Sequence, residues 1–324
     1  MFAVYATHAA PDDPLSALEI GEQPEPAPRD GWVHVKVSHA SLNRHDIFTL
    51  MGASVHERPT PYPMILGLDG VGRLDDGTEV VIYPLLNSPD WRGDETLDPQ
   101  WNVLSELEQG TFAQHIAVPR RNVIIKPKEL SSLHAAVLGT AWLTAYRMLF
   151  TKADLHGGQT ILVQGATGGT STALIQMGKA AGIEVWATSR TTKGCELATK
   201  LGAHKVFKSG EPLPKRVDAV MDSVGAATWA HSLRSVARGG TIVTVGITTG
   251  PSPKTNLLRV FTEVLTIKGT LMGTLQEFEK LIRFVIASGI EPQIGDVMPL
   301  TDARRAFQSM LKGEMQGKIV FTVD

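Results

Sequence analysis

Apolar and polar residues alternate through residues 32–42, with Val33, Val35 and Val37 on one face and His34, Lys36 and Ser38 on the other. That two-residue period is the mark of a half-buried strand. Residues 2–6, 78–83 and 112–118 read as further strands, residues 24–28 as a proline-rich link, and residues 43–51 as a helix. Many short strands with turn residues between them predict a small barrel, interrupted by a polar insert over residues 85–109. The pattern changes after Leu130. Helices near Ser132 and Trp142 are followed by apolar strands at 161–163, 183–187, 205–207, 217–221, 241–245 and 265–269, each separated by helical stretches. Strands alternating with helices predict a parallel doubly wound sheet, so the fold class is α/β. A helix over 301–312 and a strand over 319–323 are expected to return the chain to the barrel. There is no internal repeat and no low-complexity tract.

The stretch that organises the second pattern is residues 160–190, TILVQGATGGTSTALIQMGKAAGIEVWATSR. A short β-branched run breaks into Gly165, Gly168 and Gly169, a small-residue helix follows, Gly182 ends it, and a second apolar run stops at Thr188, Ser189 and Arg190. This is the strand, turn, helix and strand context of a dinucleotide site. Main-chain N–H groups at the helix start are expected to hold a pyrophosphate, which requires small residues at Gly165, Ala166, Thr167, Gly168, Gly169, Thr170 and Ser171. The strict G-x-G-x-x-G is not met, since its three places are Ala166, Gly168 and Ser171. At the end of the second strand an NAD site places a carboxylate for the ribose hydroxyls. Ser189, Arg190 and Lys193 stand there instead. A hydroxyl and two cations suit a 2′-phosphate, so NADPH is the expected cofactor; the alternative is a solvated basic helix start.

Bulk properties narrow the class. At 324 residues the chain is long for one core and predicts two domains. Its 31 basic and 33 acidic side chains give a net charge of -2 with no block of one sign, which argues against nucleic acid as a partner. The single cysteine, Cys195, rules out an intrachain disulfide and fits a reducing compartment. The N-terminus does not read as a secretory signal, and the apolar stretch 133–150 carries His134 and Arg147 and reads as a buried helix. A cytoplasmic protein with no membrane partner is expected. Cys195 has no neighbouring base, residues 169–173 end in alanine where a G-x-S-x-G elbow needs glycine, and His56-Glu57 runs into Arg58-Pro59 without completing H-E-x-x-H. No metal spacing is present.

Seven stretches, taken together, carry a resemblance. They are SLNRHD at 41–46, GLDGVG at 67–72, GTAWLTAY at 139–146, the glycine unit, DSVG at 222–225, GGTIVTVG at 239–246 and GKIVF at 317–321. In order and spacing the whole chain resembles the medium-chain dehydrogenase/reductase superfamily, specifically its zinc-free quinone oxidoreductase-like branch. The resemblance implies a GroES-like catalytic barrel over 1–130, a Rossmann domain over 131–271 that binds the cofactor, and a return to the catalytic domain over 272–324, with the active site in the cleft. Zinc alcohol dehydrogenases of the superfamily hold their metal at positions that fall here on Asn43, Leu68 and Thr140. Leucine cannot ligate zinc, and neutral amide and hydroxyl oxygens ligate it poorly. The insert, where relatives carry four structural cysteines, has none.

Without a Lewis acid to hold an alkoxide, conjugated acceptors are favoured, because hydride addition to a quinone or enone leaves a delocalised anion that hydrogen-bond donors can hold. The expected activity is NADPH-dependent reduction of a quinone or an α,β-unsaturated carbonyl. Asn43 is a candidate to bond the acceptor oxygen or only to fix a turn; His45 a proton donor or a structural histidine; Tyr62 a second donor candidate. Arg44 matches a basic residue that reaches the pyrophosphate in relatives, Asp69 reads as a support residue, and Thr140 and Thr144 are expected at the nicotinamide end. Ser223, Val245, Gly246 and Ile247, with Leu271, Met272 and Gly273, are expected near the cofactor where strands end. Two alternatives stay open: an NADPH-binding redox sensor or structural module without turnover, and an enoyl-thioester reductase. The family also implies a homodimer paired through the strand near 265–269.

Overall fold

The computed structural model of the chain describes residues 1–54 and 58–324, which fall into two compact units. His56 and Glu57 lie outside the described residues. One unit comprises Met1–Thr140, Thr274–Ile286 and Ile294–Asp324. Its main sheet has seven strands, running in the order Val123–Ile125, Glu79–Ile82, Asp69–Arg73, Trp32–Ser41, Lys318–Thr322 and Ile294–Pro299, with His115–Pro119 also on Trp32–Ser41. The two-residue alternation in Trp32–Ser41 has the predicted sense: Val33, Val35 and Val37 are buried in the core. There they join Val80, Ile82 and Phe112, whose ring meets Phe307 and Phe321 edge-on at centroid distances of 6.4 and 5.0 Å. The helix Ala303–Lys312 closes that core by burying Ala303, Ala306 and Phe307, a one-sided stripe at helical spacing. The insert is less irregular than its composition suggests, since Leu85–Leu86 pairs with Asn102–Val103.

Two strand registers in this sheet place the charged residues of the unit. Trp32–Ser41 runs antiparallel to Asp69–Arg73 with Ser41 opposite Asp69, and antiparallel to Lys318–Thr322 with Val320 opposite Ser41. Continuing the second ladder by two residues brings Lys318 level with Asn43. The last strand of the chain therefore delivers a cation to the loop that precedes the helix Arg44–Met51.

The second unit comprises Ala141–Gly273 and Ala287–Gln293. Its six strands are all parallel, in the order Lys205–Lys208, Glu184–Ser189, Thr160–Gln164, Val217–Asp222, Val236–Thr244 and Thr266–Gly269. Thr160–Gln164 is buried throughout, as its β-branched run predicts for a central strand covered on both faces. The order turns back between Thr160–Gln164 and Val217–Asp222, the switch point at which doubly wound sheets bind ligands. Thr266–Gly269 is an outer strand, exposed at all four residues. The stretch expected as one buried helix over 133–150 is a short helix, Ser132–Ala135, followed by a continuous one from Leu138 to Lys152 in which wider turns at Leu138–Trp142 and Arg147–Lys152 flank an α-helical centre, Leu143–Tyr146. Among the described residues no helix is long and apolar enough to cross a membrane.

Candidate active site

In the first unit the two registers of Trp32–Ser41 gather a charged cluster that is almost wholly removed from solvent. Asp69 is 1 % exposed and accepts from Ser41 Oγ at 2.8 Å and Asn43 Nδ2 at 2.9 Å on one oxygen, and from Thr140 Oγ1 at 2.6 Å on the other. Lys318, 2 % exposed, donates from Nζ to Asn43 Oδ1 at 2.6 Å, to the Leu42 carbonyl at 2.8 Å and to Asp69 at 3.1 Å. All three ammonium protons therefore have acceptors, the condition under which a buried charge is tolerated. Burial still pulls the Lys318 ammonium below its ordinary value, opposed by the Asp69 carboxylate. Asp46 completes the group: its oxygens accept from the backbone N–H of Asn43 and Gly67, both at 2.8 Å. Burial nevertheless raises its pKa to about 7, against those two bonds and the Lys318 charge.

This cluster determines what the sequence candidates can do. Asn43 is buried with both ends of its amide engaged: Nδ2 donates to Asp69 and to the Ser41 carbonyl, and Oδ1 accepts from Lys318. Thr140 gives its hydroxyl proton to Asp69. Asn43 and Thr140 are thus brought together on one carboxylate, while Leu68, between them in the family pattern, is a buried apolar side chain. A zinc ion does not fit these three positions, because none offers an anionic or imidazole donor. Among the described residues no three His, Cys, Asp or Glu side chains are grouped to hold a metal elsewhere.

The helix Arg44–Met51 carries the next two candidates. Arg44 is partly buried, which lowers its pKa, and its Nε is buried without a hydrogen-bond partner among the described residues. His45 keeps part of its ring exposed and places Nε2 3.8 Å from Glu106 Oε1, a carboxylate that is itself 1 % exposed. Tyr62 is tied to the far end of the same helix, donating from Oη to the Thr49 carbonyl at 2.8 Å, and burial raises its pKa. Lys318 is the member that sequence reasoning missed. The GKIVF motif contains it, but only the ladder between the last strand and Trp32–Ser41 brings it to Asn43.

In the second unit most of the predicted cofactor residues follow the carboxyl ends of the parallel strands. Gly165 has φ of 76°, a backbone open mainly to glycine, and turns the chain out of Thr160–Gln164. The helix Gly169–Ala180 then starts at Gly168 with no side chain capping it, so its first N–H groups are left for an anion, which is the fit a dinucleotide pyrophosphate requires. Ala166 and Ser171 are buried, and the Ser171 hydroxyl is turned back toward the Gln164 carbonyl at 3.4 Å. Thr167, Gly169 and Thr170 are partly exposed and Gly168 is exposed. Ser189 is buried while Arg190 and Lys193 stand in solvent beside it. Gly194 closes this corner, since a Cβ there would overlap Ser189 Oγ and meet Thr167. On the other side of the switch point, Val245 N–H donates to the Asp222 carbonyl at 3.1 Å, and a Cβ on Gly246 would collide with the Ser223 backbone. Ile247 is exposed; Leu271, Met272 and Gly273 follow the outer strand, with Met272 at a positive φ of 38°. Thr144 lies in Leu143–Tyr146 and is 5 % exposed.

Comparison with known proteins agrees with both units. The alcohol dehydrogenase GroES-like domain family matches residues 29–128, and the zinc-binding dehydrogenase family matches residues 169–287. A zinc-type alcohol dehydrogenase-like protein of Schizosaccharomyces pombe is 27 % identical over 321 residues, covering 91 % of each chain. The quinone oxidoreductase of Sus scrofa is 27 % identical over 303 residues, covering 88 % of this chain and 87 % of its own. Among solved structures, an NAD-dependent alcohol dehydrogenase superposes with a TM-score of 0.92 at 29 % identity, over 100 % of both chains. A GroES-like unit built on Trp32–Ser41, a six-stranded parallel sheet with a glycine turn at its switch point, and these matches over the same two regions have one reading: the chain is an oxidoreductase that belongs to the medium-chain dehydrogenase/reductase superfamily.

Proposed function

We propose that the protein is an NADPH-dependent reductase that passes hydride to a conjugated carbonyl acceptor, a quinone or an α,β-unsaturated ketone or aldehyde, without zinc. The observation that carries this reading is the closed cluster on Asp69. Two of the three positions that hold metal in zinc relatives are consumed by one carboxylate, and the third is leucine. A site without a Lewis acid favours acceptors whose reduced oxygen shares its charge over a conjugated system. Bound NADPH supplies the hydride. The chain's own residues supply the rest: the uncapped start of Gly169–Ala180 holds the pyrophosphate, and Arg190 and Lys193 hold the 2′-phosphate. His45, partly exposed and beside a buried carboxylate, is assigned the proton that quenches the enolate. Asn43 holds Asp69 and Lys318 in place.

The second expectation, a homodimer, is supported by the outer strand Thr266–Gly269. Among the described residues its outer edge is unpaired, and the neighbouring helix Leu257–Thr262 exposes Leu257, Leu258 and Phe261 by 69, 63 and 68 %. An open apolar edge of this kind is a pairing surface. Phe261→Lys should shift the protein toward monomer in sedimentation velocity.

Purified protein of known metal content tests the activity, with NADPH or NADH and benzoquinone, an alkenal, an enoyl thioester or a simple ketone as acceptor. Zinc-free turnover of quinone or alkenal with NADPH is the expected result. Ketone turnover that tracks stoichiometric zinc would sink the proposal in favour of an alcohol dehydrogenase. NADPH binding without any turnover would leave a redox sensor. Replacing Arg190 or Lys193 by Ala should in each case weaken NADPH binding by about tenfold to a hundredfold and leave NADH unchanged, the value of one charge-assisted hydrogen bond.

A further inference from the structure

A second buried polar network lies in the parallel-sheet unit, directly behind its switch point. Gln164 and Asp222 end neighbouring strands in register, and both are fully buried. The Gln164 amide is satisfied on every side: Nε2 bonds His231 Nδ1 at 2.9 Å and Ser232 Oγ at 3.0 Å, and Oε1 accepts from Thr188 Oγ1 at 2.9 Å. Thr188 Oγ1 in turn accepts from the N–H of Gly165 at 3.2 Å. On the other side Ser232 donates to Asp222 Oδ2 at 2.7 Å, Thr228 donates to the same carboxylate at 2.9 Å, and Asp222 Oδ1 accepts from the N–H of Val224 and Gly225 at 3.0 and 3.1 Å. One continuous chain of hydrogen bonds thus joins the first residue of the glycine turn to the loop after Val217–Asp222.

The proton directions in this chain are fixed by its ends. His231 Nε2 lies 2.8 Å from the Glu211 carbonyl, which can only accept, so Nε2 carries the proton and Nδ1 is an acceptor. That acceptor sets the rotation of the Gln164 amide. A proton added to Nδ1 would point at the amide NH2, and relief by turning the amide would break its bonds to Thr188 and Ser232 together. We propose that Gln164 and His231 are positioning residues for the dinucleotide: neutral His231 locks the Gln164 amide, which holds the Gly165 and Val224–Gly225 turns at the spacing the cofactor needs, and protonation of His231 loosens both.

The charged groups that bear on His231 are Asp222 on the adjacent strand and Arg234 on its own helix; Glu211 in the loop meets it through its backbone carbonyl, while its carboxylate accepts from the Lys208 N–H at 2.8 Å. Burial lowers the His231 pKa most, Arg234 adds to that, and Asp222 with the Glu211 carbonyl opposes. The network is therefore intact at neutral pH and fails on the acid side of an ordinary histidine.

The inference rests on the reading of this unit as the cofactor site, and the test separates the two. Dissociation constants for NADP⁺ and NAD⁺ are measured by calorimetry from neutral to mildly acid pH in the full chain, His231→Gln and Gln164→Glu, each checked for a cooperative melt. NAD⁺ has no group titrating there, which separates the ligand's own 2′-phosphate from the histidine. Wild type should lose about tenfold in affinity for both nucleotides on acidification, the effect of about one displaced hydrogen bond. His231→Gln should bind more weakly at neutral pH and show no such fall for NAD⁺. In Gln164→Glu the carboxylate can no longer donate to Nδ1 but can pair with protonated His231, so its affinity should improve on acidification. If His231→Gln does not fold, the reversed profile of Gln164→Glu decides alone. Parallel NAD⁺ profiles in all folded variants overturn the inference. Absence of binding of either nucleotide to wild type at neutral pH overturns the cofactor reading instead.

Discussion

The two buried polar networks, one in each unit, solve the same problem by opposite means. Around Asp69 the network is ionic, with an ammonium and a carboxylate 3.1 Å apart and a second carboxylate, Asp46, nearby. Around Gln164 it is built mainly from amides, hydroxyls and a neutral imidazole, with the Asp222 carboxylate held by donors from its own loop and helix. Desolvated charge is costly to strand, whereas a neutral hydrogen bond is worth little by itself and matters for the geometry it imposes. The ionic network therefore holds strands of one unit together, and the neutral one sets the positions of backbone turns.

Removing the ammonium tests the difference at its largest. Lys318→Met strands Asp69 and should cost about 3–5 kcal/mol in urea unfolding, the usual penalty for breaking a buried pair. Adding Asp69→Asn should recover part of that loss, since the remaining groups are then neutral. A double-variant loss equal to the sum of the losses in Lys318→Met and Asp69→Asn alone would show that the pair carries no special coupling.

Asp46 gives a pH-dependent comparison. Its folded pKa of about 7 lies above its unfolded value of 3.8, so its contribution is fully present below 3.8 and is lost as pH rises through about 7. The shift corresponds to on the order of 4 kcal/mol across that window. Asp46→Asn removes the titrating group and gives up one backbone acceptor. The stability of wild type relative to the variant should therefore fall steadily between those pH limits; a constant difference would mean that Asp46 is ionised throughout.

The smallest effect belongs to the neutral network. Thr188→Val deprives the Gly165 N–H of its acceptor and Gln164 Oε1 of its donor, with an expected cost of about 1–3 kcal/mol. Cofactor affinity should fall with it. A stability loss matching that of Lys318→Met would erase the contrast between the two units.

Much of the architecture was readable from local pattern. The alternation of Val33, Val35 and Val37 announced a half-buried strand, and the glycine turn after Thr160–Gln164 announced a parallel strand, turn and helix unit, because both signals lie within a few neighbouring residues. Asn43 and Thr140 could be picked out as positions, but their hydrogen-bond partners could not. Asp69 and Lys318 are 249 residues apart, and their contact depends on the register of two ladders. Gln164 carried no local signal, since its partners His231 and Ser232 arrive from a helix 67 and 68 residues later. The wider turns within the helix over 138–152 were hidden for a different reason, because apolar periodicity does not distinguish an α-turn from a wider one.

The return of the chain to its first unit has a consequence for synthesis. Residues 141–273 contain all six strands of the parallel sheet, so that sheet can close while the chain is still growing. The first unit cannot finish in step with it, because Asp69 waits for a lysine made 249 residues later. Domains fold as units when their last strand emerges. The order of completion is thus the reverse of the order of translation, and removal of the final strand, Lys318–Thr322, should leave a nascent chain with a finished second unit and a first unit held open for chaperones and proteases.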